Sequence, residues 1–187
     1  MSHSIQDAAK MITGETMRRR AIERQDLPLF VEWLNDPEVR QNLLVNVPLS
    51  QAQEDGWFER TLNRPLEEQP LGIEVQTPEG WHLVGNCSFF DIDWRNRSTE
   101  IGIFIGDKRY WNRGYGTQVM RLMLKYGFNT LNLNRIYLRV YQSNSRGIRC
   151  YEKAGFVHEG RLRQALFQDG SYIDMLMMSV IRSEWTE

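Results

Sequence analysis

The stretch Tyr110–Gln118, YWNRGYGTQ, puts Gly114 and Gly116 where an extended apolar run gives way to a helical one. Glycine weakens either regular element but lets backbone approach a ligand, so a pair at this junction marks a functional turn. Downstream, Val119, Leu122, Met123 and Tyr126 recur at i, i+3, i+4, i+7 and predict a helix from Gly116 to about Leu131. The turn would present the N–H groups of Arg113, Gly114, Tyr115, Gly116 and Thr117 beyond the helix N-terminus, where the helix dipole favours an anion. Lys108, Arg109 and Arg113 add positive charge, so phosphate or pyrophosphate is the expected guest. A P-loop would need Gly-x-x-x-x-Gly-Lys-Ser/Thr, which this chain lacks. A dinucleotide fold would want Gly-x-Gly-x-x-Gly early in a repeated β-α-β pattern, whereas Gly114-x-Gly116 stands alone and late. A plain glycine turn between strand and helix is the remaining alternative.

Before the turn, LGIEVQT, HLVGNCSFFDIDW and TEIGIFI, separated by PEG and RNR, predict three antiparallel strands in a meander. Further upstream, ETMRRRAIE predicts a strand with an exposed basic face. DLPLFVEWLND predicts a short helix capped by Asp26, with Leu29, Phe30 and Trp33 on its buried face, stopped at Asn35-Asp36-Pro37. A second helix begins at Ser50, where Ser50 and Gln53 have capping-box spacing ahead of Trp57, Phe58 and Leu62. After the central helix come the buried strand RIYLRVY, the helix SRGIRCYEKA ending at Gly155, and two strands hinged at QDGS. The predicted order is β-α-α-β-β-β-α-β-α-β-β, an α/β (α+β) fold with a mixed, mostly antiparallel central sheet and helices on both faces.

With 187 residues, 41% of them apolar and 25% charged, the chain fits a single domain over residues 14–187 behind a flexible leader, residues 1–13. A net charge of -1 argues against general nucleic-acid or membrane binding. Cys87 and Cys150 are too few for a disulfide framework, and MSHSIQDAAKMI lacks the basic start and apolar block of a signal peptide. A reducing, cytoplasmic compartment is therefore expected. No apolar run approaches the roughly 20 residues of a transmembrane helix. His3, His82 and His158 have no metal-ligand spacing and the cysteines form no CxxC pair, so no metal is expected.

Taken together, TEIGIFIGDKRYWNRGYGTQVMRLMLKYGF, NRIYLRVYQSNSRGIRCYEKAGF and the strand pair ending in DMLMMSVIRSEW resemble the GNAT superfamily of acetyl-coenzyme A-dependent N-acetyltransferases. The family signature, Gln or Arg followed by x-x-Gly-x-Gly or Ala, falls on Trp111 to Gly116, with Trp111 replacing the usual first residue. That tryptophan, and the opening AIERQDLPLFVEWLNDPEVRQNL, look like the ribosomal-protein alanine and spermidine acetyltransferase-like branch. The resemblance implies acetyl-CoA as co-substrate and direct transfer to a primary amine, either a protein N-terminus or a small amine. It also implies a strand at GIFI that splays from its neighbour, so that Phe104, Ile105 and Gly106 meet the pantetheine arm and thioester through their main chain. The same residues pack equally well as core strand.

Tyr151 in CYEKAGF matches the family tyrosine that serves as general acid. A phenol with pKa of about 10 stays protonated at neutral pH and can donate to a thiolate whose conjugate acid lies near about 8.5. Asn144 matches a cofactor-contacting asparagine, and Arg146 and Arg149 stand where they can reach the coenzyme's phosphates; helix capping for Asn144 and plain solvation for the arginines are the other readings. Glu100 is the first candidate for the base that takes the amine's proton, with Asp91, Asp93 and Asp174 as further acids. Cys150 has no evident histidine partner and reads as a packing thiol. A non-catalytic acyl-CoA-binding sensor of the same fold is the alternative function, and the methionine-rich MLMMSV strand makes a homodimer a candidate assembly.

Overall fold

The computed structural model describes residues 16–186, so the expected leader lies outside the described residues. Its strands are β1 (Met17–Ala21), β2 (Leu71–Thr77), β3 (Gly80–Asp93), β4 (Ser98–Ile105), β5 (Arg135–Tyr141), β6 (Val157–Gln168) and β7 (Ser171–Ile181). The helices are α1 (Leu27–Asn35), α2 (Pro37–Arg40), α3 (Gln51–Leu62), α4 (Tyr115–Asn129) and α5 (Ser145–Ala154). The strands form one sheet in the order β1-β2-β3-β4-β5-β7-β6. β4 and β5 run parallel, while β1-β2, β2-β3, β5-β7 and β6-β7 run antiparallel. This is the expected mixed sheet. The added element is α2: Pro37 opens it and the Asp36 side chain accepts the Glu38 N–H at 2.8 Å, so the segment expected only to stop α1 also starts a new turn.

The chain forms two compact units, one ending at Phe89 and taking up again over Ile103–Tyr115, the other made of Phe90–Gly102 and the chain from Gly116. In the first, Leu27, Phe30 and Trp33 of α1, Val39 of α2, Phe58 of α3 and Leu83 of β3 make a buried cluster. The buried face of α1 thus uses Leu27 rather than Leu29, which is 36% exposed. Asp26 does not cap α1 with its side chain; its carboxylate accepts the Glu23 N–H at 2.8 Å and two bonds from Arg20. The predicted capping box at Ser50 and Gln53 is present. The expected basic face of β1 is replaced by a buried Arg19 and by Arg18 and Arg20 clamping the buried Glu74 at 2.5 and 2.7 Å.

In the second unit α4 buries Val119, Met120, Met123, Leu124 and Phe128. The predicted stripe is rotated, leaving Leu122 and Tyr126 at its margin. Methionine at 120 and leucine at 124 extend an i, i+1, i+4, i+5 face that a four-residue template undercounts. Gly155 ends α5 at φ 104, the left-handed cap expected of it. Asp169 and Gly170, at φ 48 and 79, form the two-residue turn between β6 and β7. No helix among the described residues is long and apolar enough to cross a membrane.

Candidate active site

The end of β4 is held by close backbone packing. A Cβ at Gly85 would stand 2.0 Å from the Phe104 carbonyl oxygen, and one at Gly106 would stand 2.3 Å from the Trp33 ring. Only glycine permits either approach. The N–H groups of Gly106 and Asp107 both donate to the Val84 carbonyl, at 2.8 and 3.1 Å. The Trp111 indole Nε1–H donates to the Ile105 carbonyl at 2.7 Å. Of the main-chain groups expected to meet the thioester arm, Gly106 N–H and Ile105 C=O therefore have internal partners. The Phe104 ring packs against Phe30 and Trp33 at 6.1 and 6.3 Å between centroids.

Between β4 and the glycine turn, Asp107 organises the chain. Its carboxylate caps the single turn Lys108–Tyr110 by accepting the Arg109 N–H at 3.0 Å. It also takes Arg109 Nη2 at 2.6 Å and stands 2.9 Å from His82 Nε2. Burial alone would raise this carboxyl, but the Arg109 and His82 hydrogen bonds outweigh it and bring its pKa down to about 2. His82 stacks on Tyr110 at 5.4 Å, Tyr110 leans on Tyr115 at 5.9 Å, and the Arg113 guanidinium lies 5.6 Å over the Tyr110 ring. Lys108 is taken by Asp36 and Glu38 at 2.7 and 3.0 Å. Of the three expected cations, Arg113 is the one with no carboxylate partner among the described residues, so the local positive charge is narrower than the sequence suggests.

Asn112 and Gly114 have positive φ, 58 and 84, and nothing lies within 4 Å of where a Gly114 Cβ would stand. Among the described residues, none of the N–H groups of Asn112 to Gly116 donates within a turn, loop or cap. Donors turned inward by left-handed residues at a helix start form an anion cradle. At the first turn of α4, a Gly116 Cβ would come 3.1 Å from Cys150 Sγ, and Thr117 Oγ1–H donates to the Cys150 carbonyl at 3.4 Å. This close packing sets α5 against the start of α4 and brings Tyr151, the next residue of α5, with it. Tyr151 is half-buried, its ring edge-on to Phe156 at 6.1 Å. Burial pushes its phenol well above the usual tyrosine range. Burial also raises the Cys150 thiol, which keeps it in the poorly nucleophilic protonated form.

Asn144 caps α5 by accepting the Gly147 N–H at 2.9 Å, and Arg149 on the same helix is exposed. Glu100 receives two hydrogen bonds from Arg139, at 2.8 and 2.9 Å. It is also where the β4-β5 ladder, Ser98–Glu100 against Arg135–Tyr137, ends although β4 continues to Ile105. Asp93 accepts from Asn96, and Asp174 from Gln164 and Arg161, so both have structural partners; Asp91 is exposed. Among the described residues no group of His, Cys, Asp and Glu is placed to hold a metal. Sequence reasoning missed Asp107 with His82, whose contact joins residues far apart in sequence. It also missed Glu54, whose signal was available: an acid four residues before Phe58 on the apolar side of α3.

Residues 17–157 match the family described as Acetyltransferase (GNAT) domain. The chain belongs to the GNAT acetyltransferase family. As a family member it is an acetyl-CoA-dependent N-acetyltransferase that moves an acetyl group to an amine. Spermidine N(1)-acetyltransferase of Escherichia coli K12 is 32% identical over 184 residues, covering 94% of this chain and 91% of the relative. N-acetyltransferase p20 of Bacillus licheniformis is 28% identical over 171 residues, covering 91% and 96%. The crystal structure of spermidine N-acetyltransferase from Vibrio cholerae in complex with CoA and spermine superposes with a TM-score of 0.81 at 26% identity, covering 91% of this chain and 98% of that one.

Proposed function

We propose that the protein acetylates a small primary amine, with the main chain of Arg113, Gly114, Tyr115, Gly116 and Thr117 gripping the coenzyme diphosphate. The observation that carries this reading is the row of unfilled N–H groups around the bare, left-handed Gly114. Arg113 supplies the charge, since Lys108 and Arg109 are spent on carboxylates. Asn144 and Arg149 add contacts to the coenzyme from α5, and the backbone at Phe104, Ile105 and Gly106 aligns the thioester arm. Bound acetyl-CoA supplies an activated acyl group and a thiolate leaving group.

In this proposal Tyr151 donates its phenolic hydrogen to the sulfur. Its raised pKa keeps the donor protonated across any working pH. Glu100 takes the amine's proton, directly or through water; Arg139 occupies one lone pair on each oxygen and leaves others for an incoming N–H. Arg139 thus acts as a positioning residue for the base. The two free thiols, Cys87 and Cys150, support a reducing cytoplasm as the compartment. The apolar side chains of Val157, Leu162 and Phe167 exposed along β6 support a homodimer built on that edge, which sedimentation would measure.

The small-amine acceptor is favoured over a protein N-terminus because relatives matched along nearly their whole length are named for spermidine. The test offers acetyl-CoA with spermidine, an amino sugar and peptides with free N-termini, and follows thiol release. Release with the small amines is expected. Release with peptides alone would refute the small-amine reading.

A further inference from the structure

α3 carries a carboxylate that nothing in the fold accounts for. Glu54 is 4% exposed, on the same buried face as Phe58 and Thr61. Among the described residues it has no hydrogen bond and no ion pair, although every other buried acid, Asp26, Glu74 and Asp107, is met by arginine. Its nearest charged neighbour in sequence, Asp55, repels it. A half-desolvated carboxylate without a cation costs stability that a leucine or glutamine in the same place would not. Its oxygens are not sealed from solvent, so a cation arriving from outside can reach them.

The surroundings point to the kind of cation. Trp57, one turn further along α3, is half-buried and edge-on to Phe30 at 6.3 Å, and Phe30 in turn touches Phe104 at 6.1 Å. An aromatic wall therefore runs from the Glu54 helix to the strand end at which the thioester arm is proposed to lie. A carboxylate beside aromatic rings recognises alkylammonium, the first by charge and the second by cation–π attraction. We infer that Glu54 is an acceptor-binding residue that pairs with a protonated amino group of the substrate. This rests on the small-amine reading above and narrows it to amines that present an ammonium to α3.

The group so held is either the reacting amine before it loses its proton or a second amine elsewhere in the same molecule. Steady-state thiol release from the wild type and from Glu54→Gln, with spermidine and with pentylamine, separates the two. A second ammonium predicts a KM for spermidine at least tenfold higher in the variant and a KM for pentylamine changed less than twofold. The reacting ammonium predicts tenfold effects on both. Unchanged KM for both amines would overturn the inference. Calorimetric titration of spermidine into both proteins gives a readout independent of turnover: if the wild type acetylates no amine, the small-amine reading fails, while tighter binding by wild type than by Glu54→Gln still supports the pairing and equal binding refutes it. Melting curves guard against misfolding, because loss of an unpaired buried charge leaves the variant at least as stable as wild type at pH 8, whereas a structural Glu54 predicts a lower midpoint.

Discussion

Replacing Gly85 by alanine tests whether the end of β4 is placed by backbone contact. The new methyl would stand 2.0 Å from the Phe104 carbonyl oxygen and 2.9 Å from Ile105 Cα. A carbon–oxygen contact relaxes at about 3.3 Å, so one backbone must retreat by roughly 1.3 Å. The obstacle is main chain, so no rotamer change relieves it. Overpacking of this kind costs about 1–3 kcal/mol. The retreat also strains the Gly106 and Asp107 hydrogen bonds to Val84, each contributing about 1 kcal/mol. The sum, roughly 2–5 kcal/mol, lowers the melting midpoint of a chain this size by about 5–15 °C. A displacement near 1 Å at a reacting centre reduces rate by about a hundredfold. Thiol-release kinetics should therefore show kcat/KM for acetyl-CoA down by that order at a temperature where Gly85→Ala remains folded, with desulfo-CoA, which lacks the sulfur, bound nearly as well as by wild type. A variant melting within about 1 °C of wild type with full activity would refute the idea that this contact sets the strand.

Tyr151→Phe should lower kcat by about 10²–10⁴ while leaving coenzyme affinity intact, measured by thiol release and calorimetry, since it removes one oxygen and no packing. Asp107 and Glu54 should give opposite pH signatures in denaturant titrations. Asp107 has its folded pKa depressed to about 2, so its contribution, about 2 kcal/mol, is present above the unfolded value near 4 and lost as pH falls through 2; Asp107→Asn should erase that acid limb. Glu54 has its folded pKa raised to about 6, so the native state binds the extra proton and stability falls as pH rises from about 4.5 to 6, by at most about 2 kcal/mol; Glu54→Gln should remove that decline. Equal slopes in variant and wild type would dismiss either assignment.

The elements with local signals were legible in the sequence. Ser50 and Gln53 start α3, Gly155 ends α5 and Asp169-Gly170 turns the last hairpin, because caps and tight turns are decided by residues within reach of one another along the chain. Burial faces were read less well. Leu29 and Leu122 are apolar and correctly spaced, but which side of a helix meets the core depends on what lies across from it, and Leu27 and Met120 take those places. Charge was read worst. Lys108 and Arg109 looked free for phosphate until Asp36, Glu38 and Asp107 were brought to them by folding, and Glu100 looked like an open base until Arg139 arrived from β5. Ion pairs join residues distant in sequence, so a count of charges near a motif overstates what is available to a ligand.

Trp111 illustrates how a departure from a family pattern can keep the underlying requirement. Glutamine, arginine and tryptophan differ in size and charge but share a side-chain N–H donor. Here that donor closes the loop onto the Ile105 carbonyl at 2.7 Å, while the indole body packs against the Phe30 and Trp33 cluster. The loop is thus anchored to the end of β4 by a side-chain hydrogen bond. This tie uses no charged group and occupies none of the N–H groups of Asn112 to Gly116. In the proposed reading, position 111 thus needs a donor that anchors the turn rather than a cation, and an uncharged aromatic residue with a ring N–H meets that need.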